Sequence, residues 1–170
     1  SNSDGSFDLP AQLTAFSITH IKEVPHLHQQ AAEMSRVAWK HDFPEDTLQT
    51  YLDMFTATGT YANRFVEVFA AINQAEELLG LATRVDDDEL PGAIEPGPWL
   101  AAVFVVPEAR KLGVGSALIN HVVSRSRELG YSEMFLYTED QQEWYQKRGW
   151  TYTRDTLLNN LKHVVMCNAV

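Results

Sequence analysis

The sequence predicts an α/β chain: a mixed central sheet of about seven strands flanked by about four helices, in the order β-α-α-β-β-β-α-β-α-β-β. Three observations predict it. Residues 99–106 form a wholly apolar run, the pattern of a strand covered on both faces. Across a glycine-bearing loop, Val114, Leu118 and Val122 then recur along one helical row, with Ile119 and Val123 along the next. On either side of this pair lie short β-branched and aromatic runs punctuated by turn residues.

Taken in order, residues 14–22 read as the first strand. Leu27, Ala31, Met34 and Ala38 recur at the spacing of a buried helical stripe. Asp42-Phe43-Pro44-Glu45-Asp46 carries helix-start signals: a capping residue, a proline in the first turn and acids at the positive end of the dipole. A second helix is therefore expected from there, with Leu48, Tyr51, Leu52 and Phe55 inward and Thr58-Gly59-Thr60 as its end. Residues 65–72 and 78–85 are β-rich, and the short 73–77 stretch between them reads as a hairpin turn. Asp86-Asp87-Asp88-Glu89 opens a loop holding Pro91, Gly92, Pro96, Gly97 and Pro98. The apolar strand stops at Pro107, and the helix over 114–129 has Gly130 as its C-terminal cap. Residues 134–137 read as a strand and 141–148 as a short helix ended by Gly149. Residues 151–155 and 163–167 pair as a last hairpin around Asn159-Asn160, which leaves an exposed edge.

A chain of 170 residues suits one domain, assigned here to 11–170, with residues 1–10 set aside as a loose, expression-derived terminus. The 23 acidic and 13 basic residues give a net charge of −10, which argues against nucleic acid as a partner. Such a surface attracts cationic substrates, although excess acid more often serves solubility. Cys167 is the single cysteine, so an internal disulfide is excluded and a reducing, cytoplasmic setting is expected. No run reaches the roughly 18 apolar residues of a membrane helix, and no signal peptide is evident, so no membrane association is expected.

The most informative stretch is Pro107-Glu-Ala-Arg110-Lys111-Leu112-Gly113-Val114-Gly115-Ser116-Ala-Leu118, between the apolar strand and the helix. Unsatisfied N–H groups at a helix start, backed by the positive end of the dipole, make an anion site. Gly113 and Gly115 lack a Cβ and admit a phosphate close to the backbone, while Arg110 and Lys111 add charge at the mouth. A pyrophosphate is the expected ligand. The dinucleotide fingerprint fails at its third glycine position, held by Leu118, and too few residues follow for a full two-half fold. A Walker loop fails because no Gly-Lys-Ser/Thr is present.

Arg110-x-x-Gly113-x-Gly115 resembles the Arg/Gln-x-x-Gly-x-Gly/Ala signature of the GNAT N-acetyltransferases. The segment from Leu136 to Trp150, with Thr138, Trp144-Tyr145 and Gly149-Trp150, resembles that family's second signature. The resemblance covers residues 99–150 and implies the acyl-CoA N-acyltransferase fold. It further implies that the strands at 99–106 and 133–138 splay apart to take the pantetheine arm of acetyl-CoA, the acyl donor. Phe104 and Val105 would then meet pantetheine. Arg110, Lys111, Leu112, Gly113, Val114, Gly115 and Ser116 would cradle the phosphates. Thr138 stands where the family often has an asparagine facing the cofactor arm.

The implied reaction is direct attack by a neutral primary amine, from a small molecule or a peptide N-terminus, on the thioester. The backbone N–H near Val105 would serve the oxyanion. Tyr145 matches the family tyrosine that faces the sulfur and is assigned as general acid. Base candidates are Glu67, Glu77 and the acids 86–89, each more commonly a solvated surface group. The second helix and the 86–98 loop are expected to shape the acceptor pocket, and a homodimer is expected by family analogy. The histidines lack metal-ligand spacing, so no metal is assigned. Two rivals stand beside this reading: a module of the same fold that binds acyl-CoA without turnover, and another nucleotide-binding enzyme using the same loop.

Overall fold

The computed structural model of the chain describes residues 15–56, 60–61, 64–86 and 90–170. Residues 1–14 lie outside that range, as do Thr58, Gly59, Asp87, Asp88 and Glu89 from the expectations above. The elements are β1 (Phe16–His20), α1 (His28–Trp39), α2 (Leu48–Thr56), β2 (Thr60–Tyr61), β3 (Arg64–Asn73) and β4 (Leu78–Val85). They continue with β5 (Trp99–Val105), α3 (Val114–Glu128), β6 (Glu133–Thr138), α4 (Gln142–Gln146), β7 (Thr151–Leu158) and β8 (Leu161–Ala169). The expected order holds, with the two-residue β2 added.

The sheet runs β1-β3-β4-β5-β6-β8-β7, with β2 paired to β3. Every adjacent pair is antiparallel except β5 and β6. The period-2 alternation of β3 divides its side chains between two layers. Val66, Val68, Ala70 and Ile72 pack with Ala31 and Ala32 of α1 and with Tyr51 and Phe55 of α2. Phe69 and Ala71 pack with Val114, Leu118 and Val122 of α3 on the opposite face.

Local chemistry sets the ends of these elements. Asn73 closes the β3–β4 turn by accepting from Ala75 N–H at 3.0 Å and Glu77 N–H at 2.9 Å. Asn159 and Asn160, with φ of 53° and 63°, form the connection from β7 to β8, a conformation that suits tight hairpins and that asparagine tolerates. Gly130, at φ 94°, follows α3 as expected.

Three expectations need correction. The first strand is shorter than 14–22, because His20 Nδ1 accepts Lys22 N–H at 3.2 Å and the chain turns into a 3₁₀ segment at Ile21. The second helix does not begin at the proline run. Thr47 and Thr50 exchange side-chain-to-backbone bonds at 3.0 and 3.2 Å, a reciprocal capping box, so α2 starts at Leu48. In α1 the buried face is His28, Ala31, Ala32 and Ser35, which leaves Ala38 exposed.

Candidate active site

β5 and β6 register at one point only, Trp99 opposite Phe135, beside a bond from Phe135 N–H to the Pro98 carbonyl at 3.0 Å. Beyond it the two strands are unpaired and a gap opens. A bulge lies on the β5 side. Leu81 pairs with Phe104 but Thr83 pairs with Ala101, so Ala102 and Val103 share the place opposite Ala82, and Ala102 takes φ 51°. The expectation of a strand covered on both faces therefore holds at Trp99 and Leu100 and again at Val106, but not between them. Ala102 is exposed, and Ala101, Val103, Phe104 and Val105 are half-buried along the gap. Val106 N–H donates to the Leu79 carbonyl at 2.8 Å on the β4 side. The pleat therefore turns the Val105 N–H the other way, into the gap.

The glycine loop lies just past the end of β5. Gly113 caps α3 in the left-handed region, φ 79°, with no side-chain bond to the cap. The first bond of the helical ladder runs from Ala117 N–H to the Gly113 carbonyl, at 3.0 Å. The N–H groups of Val114, Gly115 and Ser116 precede it and have no partner among the described residues. A Cβ on Gly113 would meet nothing within 4 Å, and one on Gly115 would sit 3.5 Å from Val105 Cγ2. The cradle is therefore open in front of the backbone donors, as an anion requires.

The side chains around that cradle divide by role. Arg110 donates from Nε to the Val105 carbonyl at 3.3 Å, tying loop to strand. Lys111 is exposed and Leu112 half-buried, while Val114 is wholly buried and offers only its backbone. Ser116 Oγ accepts from Arg148 Nε at 3.0 Å. The Arg148 guanidinium lies 3.5 Å above the Trp144 ring and donates to the Trp144 carbonyl at 2.9 Å. Arg148 is thus a further cation at the helix start that the sequence reading missed; its signal was the four-residue spacing from Trp144.

Opposite the loop, the gap opens into a cavity of about 320 Å³. Its walls are Trp39, Phe43, Tyr51 and Phe55 from the α1–α2 region, residues 100–103 of β5, and residues 137–141 at the end of β6. Asp42, Asp46, Glu139 and Asp140 line it, and no lysine or arginine does among the described residues. Burial and the charges of Asp46 and Glu45 push the Tyr51 phenol up to about 12, which fits a negative field there. The 86–98 loop, expected to shape this pocket, contributes none of its described residues. Glu95 instead receives a bidentate pair from Arg154 at 2.8 and 2.9 Å, which fastens the loop to β7. The 39–46 segment takes its place.

Tyr145 reaches this cavity from α4, packed edge-on against Trp144 with ring centroids 5.0 Å apart and against Trp150 at 6.1 Å. Burial pushes its phenol up to about 12, against a smaller opposing pull from Arg148. Thr138 also lines the cavity, and its Oγ1 accepts Gln141 N–H at 3.1 Å, so the hydroxyl helps to shape the turn into α4.

The sequence profile of the acetyltransferase (GNAT) family matches residues 26–150. The chain belongs to the GNAT acetyltransferase family. No curated protein sequence matches it. Among solved structures it is similar to an aminoglycoside 6'-N-acetyltransferase complexed with coenzyme A, at 17% identity and TM-score 0.70, over 90% of this chain and 96% of that one. The corresponding enzyme from Enterococcus faecium is similar at 17% identity and TM-score 0.68, over 90% and 96%. The paiA N-acetyltransferase from Thermoplasma acidophilum, in complex with coenzyme A, is similar at 15% identity and TM-score 0.67, over 92% and 99%.

A GNAT acetyltransferase must remove a proton from its amine; of the acids suggested for this from sequence, Asp87, Asp88 and Glu89 lie outside the described residues, and the other three are otherwise engaged. Glu67 accepts from Arg84 Nε at 2.9 Å and Arg125 Nε at 3.2 Å on the α3 face, away from the cavity. Glu77 receives Asn73 Nδ2 at 3.0 Å in the hairpin turn. Asp86 receives Phe65 N–H at 3.2 Å. Of the metal-type groupings among the described residues, His41, Asp42 and Glu139 have ligand atoms within 4.8 Å of one another at a solvent-facing rim. No helix of the described residues is long and apolar enough to cross a membrane.

Proposed function

We propose that the chain transfers the acetyl group of acetyl-CoA to a primary amine on a small molecule carrying a second cationic centre. The observation that carries this reading is one gap with complementary ends. At one end stand three free N–H groups on an open glycine cradle. At the other is a cavity lined by four acids and by Tyr145. The cradle, with Lys111 and Arg148, would hold the diphosphate, and Phe104 and Val105 would flank the pantetheine arm. The similar solved structures named for aminoglycosides act on polycationic amines, in keeping with an acid-lined acceptor cavity. Cytoplasmic placement belongs to the same proposal, supported by a single unpaired cysteine.

In this reading the Val105 N–H, held in place by the pairing of β5 with β4, meets the charge that develops on the thioester oxygen. Tyr145 acts at the sulfur. With its phenol raised to about 12, it stays protonated throughout the working range and serves the thiolate chiefly as a hydrogen-bond donor. A hydrogen bond to a charged group is worth about 1.5–3 kcal/mol, so Tyr145→Phe should lower kcat about 10- to 100-fold. The KM for acetyl-CoA should hold, and an unchanged kcat would remove Tyr145 from the chemistry.

Arg148→Ala should act on the other end of the gap. It removes one partly solvated charge near the phosphates, about 1 kcal/mol, so acetyl-CoA affinity should fall about fivefold with kcat kept. The reading itself is tested by thiol release from acetyl-CoA across acceptors. Diamines and aminoglycosides should exceed matched monoamines and neutral peptides in kcat/KM. A preference for monoamines would sink the cationic-acceptor assignment.

A further inference from the structure

His163 bears on the proton-removal step, for which the described acids suggested from sequence are already engaged. It sits on β8 opposite Thr156 of β7, next to the Val164–Thr138 pair that joins β8 to the end of β6. It is 97% buried in effect, with only 3% of its surface exposed, yet it lines the acceptor cavity together with Tyr145. Nδ1 lies 2.9 Å from the Leu161 carbonyl. A carbonyl only accepts, so in the neutral ring Nδ1 carries the proton and Nε2 presents its lone pair. The sealed polar side-chain atoms that lack a partner are Trp39 Nε1 and Arg84 Nη2 among the described residues. His163 Nε2 is not among these atoms, and the cavity that His163 lines gives Nε2 a space to act in.

We propose that His163 is the proton acceptor for the amine. This rests on the acetyltransferase reading above. The bound ammonium gives one proton to Nε2, forming imidazolium, and its lone pair is freed. The nitrogen then bonds to the thioester carbonyl carbon, and the carbon–sulfur bond breaks as the carbonyl re-forms. The amide nitrogen's surplus proton passes to the departing thiolate beside Tyr145. CoA thiol, acetamide and one proton on His163 result, and that proton leaves to solvent. Asp42, Asp46, Glu139 and Asp140 line the same space, with no lysine or arginine among the described residues. The Tyr137 ring, 5.9 Å away and edge-on, fixes the imidazole plane. The acids are half-buried or exposed and suit holding the substrate's second cation, whereas His163 is the buried basic side chain of the cavity lining.

The test uses His163→Asn, because asparagine Nδ2 can still donate to the Leu161 carbonyl while Nε2 is lost. Turnover is read with an alkyl diamine and with an alkoxyamine analogue, whose nitrogen is neutral at the assay pH. The expected result is a kcat lower by about 10²–10³-fold on the diamine, a much smaller loss on the alkoxyamine, and an unchanged KM for acetyl-CoA. Imidazole ¹⁵N spectra of the wild type should show the Nδ1–H tautomer, a readout that does not depend on the variant folding. A kcat within about threefold of wild type, an equal loss on both acceptors, or an Nε2–H tautomer overturns the assignment. Absence of wild-type thiol release with every acceptor overturns the acetyltransferase reading beneath it, and His163 with it.

Discussion

Replacing Glu67 by alanine is expected to destabilise the fold by about 3–5 kcal/mol, the cost of leaving a buried charge without its partner. Glu67 on β3 stands directly opposite Arg84 on β4, and the two side chains are 8% and 1% exposed. Its carboxylate takes Arg84 Nε at 2.9 Å and Arg125 Nε and Nη2 at 3.2 Å, which joins the sheet to α3. In its absence Arg84 keeps the face of Phe65, at 4.5 Å, and Asp86 at 3.7 Å. Neither replaces a close carboxylate, and Arg84 Nη2 already lacks a partner among the described residues. Since small proteins are stable by only about 5–15 kcal/mol, urea midpoints should fall clearly.

The pH dependence of that effect has a definite sign. Burial alone would raise the Glu67 carboxyl, but the hydrogen bonds from Arg125 and Arg84 and their charges outweigh it, and the folded value lies below the ordinary one. A depressed carboxylate adds stability that is complete above its unfolded value, about 4.3, and is lost as pH falls through the folded value. The gap between wild type and Glu67→Ala should thus be widest near neutrality and narrow in acid. Equal midpoints at pH 7 would mean that the two arginines are satisfied without Glu67.

What the sequence disclosed and what it hid follow from the range of the interactions. The strand–loop–helix around Gly113, the Asn73 turn and the Asn159-Asn160 turn rest on contacts between residues a few positions apart, and local pattern finds these. Residues 99–106 were misread in part because hydrophobicity reports that a strand avoids water, not what covers it. The gap beyond Leu100 depends on the divergence from β6, some 35 positions later, and on the bulge at Ala102. The cavity proposed for the acceptor was less legible still. Its acids come from two turns far apart in sequence, and the 86–98 loop was withdrawn from it by Glu95 and Arg154, 59 residues apart. Pro44 offered a helix start that lost to the reciprocal bonds of Thr47 and Thr50. His163 carries no local signal, because a histidine within a strand reads as packing until its neighbours across the sheet are known.

Gly113→Trp should abolish acetyl-CoA binding, by at least about 100-fold, while the protein stays folded. The native φ of 79° is unfavourable for any side chain and costs about 1–2 kcal/mol, which a stable domain survives. The backbone site itself is open, with nothing within 4 Å of an added Cβ. An indole can therefore be accommodated, and it would stand in front of the N–H groups of Val114, Gly115 and Ser116. In the proposed reading those donors and the helix dipole supply the anion attraction, so a bulky screen should remove it without altering charge. Gly130→Trp is the matching control. Gly130 lies at the other end of α3, also in the left-handed region at φ 94°, with nothing within 4 Å of an added Cβ. It carries similar strain but faces the negative end of the dipole. Calorimetric titration should give wild-type affinity for Gly130→Trp and no detectable heat for Gly113→Trp. Equal affinity for all three proteins would mean that the loop after β5 is an ordinary strand-to-helix turn and that the phosphates bind elsewhere. Equal loss in both variants would trace the effect to strain in α3 rather than to a screened anion site.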